Sequence, residues 1–135
     1  MDIINIRTKS RSEFVDITSK VAEIVSKSKV KSGLCIIFCP HTTAGLTINE
    51  NADPDVVSDI QNFLNKLIPH NGSYKHAEGN ADAHIKASLM GSFLNVLVED
   101  GKLVLGTWQG IFFTEFDGPR GRNVYVTMLP ALSDH

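Results

Sequence analysis

Two histidines and two acids lie close together in the stretch from His76 to Gly91, HAEGNADAHIKASLMG. His76 and Glu78 come just before a segment that is typical of a helix, and Asp82 and His84 fall near its start. Imidazole and carboxylate groups bind metal ions, carry protons and contact phosphate groups. This stretch is therefore the first candidate for a functional site.

The helix in this stretch is predicted at residues 81–90. Asn80 is a good N-cap, and Gly91 stands where a left-handed C-terminal cap is expected. Residues 76–79 form a polar approach that can fold back over the first turn, where unpaired backbone N–H groups attract anions. The group can then hold a metal, a phosphate or both.

Other polar side chains come from separated segments, so only the fold can bring them to this helix. The predicted strand at residues 34–39 is followed by an imidazole and two hydroxyls, and a polar pair precedes the second predicted helix without capping it. A turn at residues 117–122 presents two guanidinium groups. These added candidates are His41, Thr42, Thr43, Glu50, Asn51, Arg120 and Arg122.

One interpretation of these residues is a metal site. Three neutral imidazoles, from His41, His76 and His84, together with a carboxylate would suit zinc or another divalent first-row metal. An open coordination position would then permit water activation. The spacing from His76 to His84 matches no standard ligand signature, and His41 is too far away in sequence for its spacing to be informative. The metal interpretation therefore depends on the fold.

A second interpretation makes the histidines proton carriers or hydrogen-bond donors around a phosphate or pyrophosphate. The start of the helix, the hydroxyls of Thr42 and Thr43, and either Arg120 or Arg122 would bind the anion. This interpretation uses more of the polar residues than the metal site does. Both interpretations stay open on the residues alone.

The composition bounds the class of protein. The 135 residues are 42% hydrophobic and 21% charged with a net charge of -2, which predicts one globular domain over residues 1–135 and no general attraction to nucleic acid. No apolar run is long enough to cross a membrane, and the amino terminus lacks the hydrophobic segment of a signal peptide, so we expect a cytoplasmic protein. The sequence contains no nucleophile elbow, Walker loop, zinc-protease helix or dinucleotide fingerprint.

The elements that position the candidate residues are predicted from hydrophobic periodicity and turn signals. Strands are expected at residues 3–8, 13–16, 34–39, 46–49, 93–98, 103–106, 111–116 and 123–129, and helices at 18–27, 54–67 and 81–90. The first two strands are expected to form a hairpin, and the Asp100-Gly101 turn predicts another. Glu115 lies among aromatic residues, which predicts a partner in the interior or a place in a site or subunit interface. Together these elements predict an α+β fold dominated by antiparallel sheet.

Three long motifs carry a resemblance to a known family. They are PHTTAGLTINENADPDV, HAEGNADAHIKASLMG and LGTWQGIFFTEFDGPRGR, in this order, and the similarity extends over about residues 39–128. On these motifs the chain resembles the YjbQ-like family of small bacterial and archaeal proteins. The resemblance implies a compact α+β protein with two packed sheets, which assembles as a homotrimer with sites near its subunit boundaries.

The resemblance also implies an activity and the residues that carry it. The family is associated with a weak thiamine-phosphate-synthase activity, in which a thiazole phosphate displaces pyrophosphate from a pyrimidine diphosphate. Magnesium and cationic side chains normally stabilise such a leaving group. By motif match, the metal-binding or catalytic residues are His41, His76 and His84, supported by Glu78, Asn80, Asp82, Glu50 and Asn51. The alternative is a noncatalytic trimeric protein that binds a small phosphorylated or metal-bound ligand.

Overall fold

The structure is a computed structural model that describes residues 1–132. None of the helices in this range has the length and hydrophobicity that a membrane-spanning helix requires. The elements in chain order are β1 (Asp2–Arg7), β2 (Glu13–Asp16), α1 (Thr18–Ser28), β3 (Gly33–Phe38), β4 (Ala44–Glu50), α2 (Pro54–Leu67), α3 (Ala81–Met90), β5 (Phe93–Glu99), β6 (Lys102–Leu103), β7 (Gln109–Glu115) and β8 (Gly121–Pro130).

The strands form two separate antiparallel sheets. Sheet A has five strands in the order β1-β8-β3-β5-β6, and sheet B has three in the order β2-β7-β4. Every paired strand runs antiparallel to its neighbour. The predicted α+β fold with two mainly antiparallel sheets is therefore confirmed.

The predicted hairpin between β1 and β2 is wrong. β1 pairs with β8 in sheet A, whereas β2 pairs with β7 in sheet B. The polar connector crosses between the sheets because its groups bond to the turn after β7. The carbonyl of Arg11 accepts the N–H of Gly118, and the hydroxyl of Thr8 donates to the Glu115 carboxylate at 2.8 Å.

The hairpin between β5 and β6 is confirmed. Val98 pairs with Leu103 and Glu99 pairs with Lys102, as the Asp100-Gly101 signal predicts. Asp100 and Gly101 have φ of 52° and 73°, the positive values that a tight hairpin turn with this twist requires. The predicted strand at residues 103–106 is shorter in the structure and ends at Leu103.

The main core lies between the inner face of sheet A, sheet B and helix α1. Alternate residues of each sheet A strand point into this core, and Val21 and Val25 of α1 cover it. Cys35 and Cys39 are both buried there as free thiols. A smaller cluster joins α2 and α3 through Leu64, Ala87 and Phe116.

The other face of sheet A carries a set of exposed apolar side chains. We call it the outer face of sheet A, and its exposed apolar side chains are Ile3, Phe38, Phe93, Leu97 and Leu129. Within one chain, Cys35, Ile37 and Cys39 of the segment at residues 34–39 are buried, whereas Phe38 is exposed on this outer face. The helical side of the fold has a second exposed apolar set, formed by Phe63, Leu67, Ile85 and Leu89.

Candidate functional site

The structure brings His76 and His84 together at the start of α3. Their ring centroids are 5.1 Å apart and the rings are nearly perpendicular. His76 Nε2 lies 3.9 Å from a carboxylate oxygen of Glu78, and both side chains are well exposed. We call His76 and His84 the imidazole pair. The expected fold-back of the polar approach over the first turn of the helix is therefore present.

The loop before α3 is held in place by its own polar contacts. The ring of His70 bonds through Nε2 to the carbonyl of Gly79 at 2.8 Å, and the Tyr74 hydroxyl donates to the carbonyl of Pro69. Gly72 leaves room for Tyr74, since a Cβ at Gly72 would lie 2.8 Å from the ring. These contacts present the imidazole pair at the mouth of a shallow cavity of about 390 Å³, which Tyr74, Lys75, His76, Ala81, His84 and Ile85 line.

Asn80 and Asp82 point away from this cavity into the fold. Asn80 occupies the N-cap position but makes no side-chain capping bond, and its Nδ2 instead donates to Asp117 at 2.9 Å. Asp82 is fully buried and accepts two hydrogen bonds of 3.1 Å from the guanidinium of Arg11. Both predicted catalytic side chains are thus engaged in contacts that fix the start of α3.

A buried lysine completes the network beneath α3. The Nζ of Lys86 lies 3.8 Å from Asp82 and donates to Asn65 of α2 at 2.6 Å. Burial raises the pKa of Asp82, but the hydrogen bond and charge of Arg11 outweigh it and hold that pKa below its ordinary value. Burial also lowers the pKa of Lys86, and the Asp82 charge opposes this shift only in part. The network joins α3 to α2 and to the connector after β1.

His41 belongs to a second polar group, at the start of β4. The N–H of Asn123 donates to His41 Nε2 at 3.0 Å, and the carbonyl of the same residue lies 3.1 Å from that nitrogen. The neutral ring can accept the first contact, and a ring that carries a proton on Nε2 can donate to the second. Burial and the Arg122 charge lower the pKa of His41, which favours the neutral form.

Arg122, a predicted substrate-binding residue, lies inside the fold. Its guanidinium is paired with the Glu115 carboxylate and also donates to the Thr43 hydroxyl at 2.9 Å. Burial raises the pKa of Glu115, but the hydrogen bonds from Arg122, Asp117 and Thr8 hold it below its ordinary value. Glu115 therefore has its partner in the interior, one of the expected alternatives. Thr42 and Arg120 remain at the surface.

Glu50 and Asn51 form a third group at the opposite end of β4. Seven residues of extended chain separate Glu50 from Thr43, which is roughly 20 Å. Asn51 Nδ2 donates to Asp16 at 3.0 Å, and its backbone N–H donates to the carbonyl of Trp108. A Cβ at Gly110 would meet the Asn51 side chain at 2.4 Å, so the two residues are closely packed. Within one chain, this pair does not join the imidazole pair.

The donor set of a single chain does not fit the predicted metal centre. Among residues 1–132, no three His, Cys, Asp or Glu side chains are arranged to hold a metal ion. His76 and His84 are adjacent, whereas His41 belongs to the group around Arg122 and Asn123. A site made from all three predicted ligands therefore requires more than one chain.

Sequence reasoning missed Arg11 and the structural roles of Lys86 and Arg122 inside the fold. Arg11 contacts Asp82 across 71 positions of sequence, so no local pattern announces it. Lys86 stands four residues after Asp82, the spacing at which helical side chains face one another. Arg122 alternates with Val124 and Val126, which lie on the inner face of β8. The four-residue spacing of Asp82 and Lys86 and the alternation of Arg122 with the buried valines were the signals that the sequence offered.

Comparison with known proteins places the chain among close relatives. A model of the family described as UPF0047 protein YjbQ-like matches residues 2–131. UPF0047 protein MJ1081 of Methanocaldococcus jannaschii is 58% identical, over 92% of this chain and 90% of its own length. UPF0047 protein YugU of Bacillus subtilis is 48% identical, over 93% of this chain and 96% of its own length.

Solved structures show the same fold. The crystal structure of an uncharacterized conserved protein of the YjbQ/UPF0047 family from Clostridium acetobutylicum superposes with a TM-score of 0.94 at 56% identity, covering 96% of this chain and 100% of that one. A YbjQ-like protein of unknown function from Sulfolobus solfataricus gives a TM-score of 0.93 at 40% identity, with 96% of each chain covered.

Proposed function

The chain belongs to the UPF0047 protein YjbQ-like family, and from this premise we propose that it binds a small phosphorylated ligand at the imidazole pair. The observation that carries the proposal is the 5.1 Å approach of His76 and His84 at the amino end of α3. An imidazole donates a ring N–H in both of its protonation states, and the first turn of a helix favours negative charge. The exposed ammonium of Lys75 borders the same cavity.

The reaction that we propose for this site is pyrophosphate displacement of the thiamine-phosphate-synthase type. The pair would hold the phosphate groups, and Lys75 would neutralise part of the charge that develops on the leaving group. Turnover should be slow. The cavity is shallow, the histidines border solvent, and the guanidinium of Arg122 is already paired with Glu115.

The second candidate function is noncatalytic binding of a phosphorylated ligand. It is favoured by the network beneath α3, where Asp82 is committed to Arg11 and Lys86 and so cannot act as a free base. The remaining carboxylate at the surface, Glu78, is exposed and only loosely paired with His76. A binding protein needs the imidazole pair alone, whereas a transferase also needs control of the leaving group.

A homotrimer is proposed as the working assembly. A cyclic trimer uses two different patches of each chain, because its interfaces are heterologous. The outer face of sheet A and the exposed apolar side chains of α2 and α3 are two such patches. Three chains of 14.8 kDa should give a particle of about 44 kDa. Leu97→Glu places a charge in the first patch and should lower the measured mass, while Lys20→Glu on α1 should not.

We propose a divalent metal, zinc or another first-row ion, only as an ion that is bound between subunits. One chain supplies two adjacent imidazoles, and a further ligand such as His41 would come from a neighbour in the trimer. Elemental analysis of untagged protein tests this. Metal near stoichiometry that is lost in His41→Ala and in His84→Ala supports it. Metal that stays absent after zinc, manganese or nickel is added overturns it.

Calorimetric titration with pyrophosphate tests the binding proposal directly. His84→Gln should weaken binding by tenfold or more, because it removes one ring from the pair, and intact folding is checked by circular dichroism. Lys20→Gln, which removes a distant surface charge, should bind normally. Equal affinity in the unaltered protein and His84→Gln would refute the site.

Release of pyrophosphate from the pyrimidine diphosphate and thiazole phosphate distinguishes the two functions. Saturable turnover that His84→Gln abolishes without loss of folding supports the transferase. Thermal stabilisation by the phosphorylated ligands with no turnover supports the binding protein. If neither turnover nor thermal stabilisation is observed, both functions are excluded.

A further inference from the structure

A second cavity lies between helix α1 and the edge of sheet A that β6 forms. It has a volume of about 900 Å³ and is bounded by the carboxyl-terminal half of α1, the β5–β6 turn and the segment after β6. We call it the α1 groove, and its lining includes Ala22, Val25, Lys29, Lys31, Lys102 and Leu103. Ligand cavities in proteins have volumes of about 300–1,000 Å³.

The floor of the α1 groove is apolar because of the strand register. Leu103 pairs with Val98, and directly paired residues of antiparallel strands point to the same side of a sheet. Val98 is fully buried in the core, so Leu103 faces α1. Val25 of the helix and Leu105 of the following segment extend this apolar strip.

The two walls of the groove are tied together. The N–H of Gly101 in the hairpin turn donates to the carbonyl of Lys31 at 3.0 Å. Lys29 ends α1 in the left-handed conformation, with φ of 60°, which turns the chain along the edge of the groove. The groove is therefore formed before any ligand arrives, and a ligand need not order it.

The rim of the groove carries an excess of positive charge. Three exposed lysines, Lys29, Lys31 and Lys102, border it, whereas Asp100 is its acidic member. The carbonyl end of α1 adds partial negative charge near Lys29. The net charge of the rim is therefore positive, and it lies beside the apolar strip. This arrangement complements a molecule that has an anionic head and a short aliphatic chain.

We propose that the α1 groove binds a small amphipathic carboxylate, with its head at Lys31 and Lys102 and its aliphatic chain along Val25, Leu103 and Leu105. The groove shares no residue with the cavity of the imidazole pair. The proposal therefore stands or falls independently of the proposed function.

Titration with octanoate, followed by the methyl resonances of Val25, Leu103 and Leu105, tests the site. These resonances should shift saturably, and hexanoate should bind about fifteenfold more weakly, since each methylene contributes about a fourfold change in affinity. Octylamine has a similar chain with the opposite charge and should bind at least tenfold more weakly than octanoate.

Two pairs of variants locate the binding. Ala22→Trp fills the groove from an exposed helical position and should abolish octanoate binding, while Ser19→Trp, exposed on the same helix outside the groove, should not. Lys31→Glu should weaken octanoate binding more than Lys20→Glu does. Absence of saturable shifts, equal binding of octylamine, or full binding by Ala22→Trp would each overturn the proposal.

Discussion

Replacement of Glu115 by alanine should strongly destabilise the fold. The carboxylate is fully buried and accepts hydrogen bonds from Arg122, from the Thr8 hydroxyl at 2.8 Å, and from the backbone N–H groups of Phe116 and Asp117. The side chain of Arg122 is only 3% exposed, so water cannot replace the lost carboxylate. The variant keeps a buried positive charge without its partner.

The magnitude follows from that unpaired charge. Breaking a buried ion pair by removing one partner costs about 3–5 kcal/mol. For a chain of this length, about 1 kcal/mol corresponds to roughly 3 °C in Tm, so the expected decrease is roughly 9–15 °C. The double variant Glu115→Leu, Arg122→Met should be more stable than Glu115→Ala, because it leaves no charge in the interior.

The effect should depend on pH in a defined direction. The folded-state pKa of Glu115 lies below the ordinary value of 4.5, because the bonds from Arg122 and its neighbours outweigh burial. The stabilisation is therefore fully present above about pH 4.5 and is lost as the pH falls through the lower folded-state pKa. The difference between the unaltered protein and Glu115→Ala should shrink on acidification.

Urea unfolding at one fixed protein concentration measures these differences, since association contributes to the apparent stability. Glu23→Ala serves as the control. It removes an exposed ion pair with Lys27 on α1, and such pairs contribute little. A loss below about 1 kcal/mol in Glu115→Ala, or a double variant less stable than the single one, would refute the reasoning.

Three further predictions concern other parts of the chain. Asp53→Ala should lower the free energy of unfolding by about 1 kcal/mol, measured in urea, because it removes the N-cap bond to the start of α2. A polar thiol reagent should leave Cys35 and Cys39 unmodified in the folded protein and label both after unfolding, since both are buried and burial raises the pKa of Cys35 to about 11. NMR titration of His41 should give a pKa below its ordinary value, and Arg120→Gln should raise it by removing a nearby positive charge.

Local signals predicted most of the elements correctly. Asp53 and Pro54 mark the start of α2, and the structure shows the capping bond from the Asp55 N–H to Asp53. The Asp100-Gly101 turn likewise determined one hairpin. Such features succeed because the residues that decide them are neighbours in sequence. The imidazole pair was predictable for the same reason, since His76 and His84 flank one helix start.

Long-range pairing was not predictable from local patterns. The chain places β1 beside β8 and β2 beside β7, and nothing between residues 8 and 13 distinguishes a crossing from a hairpin. The polar candidate residues lie in separate groups for a related reason. Thr43 and Glu50 stand at opposite ends of one strand, so a strand that carries both necessarily separates them. A linear list of polar residues contains no such distances.

The pairing of β1 with β8 also determines when sheet A can be completed during synthesis. β1 leaves the ribosome well before its partner, which begins at Gly121. At about 5–20 residues per second, β1 waits roughly 6–24 seconds for that partner. β3 also needs β8 on one side, so the nascent chain exposes two unpaired strand edges in this interval. We therefore expect a chaperone to bind the nascent chain mainly between the translation of β1 and that of β8, when these strand edges are unpaired.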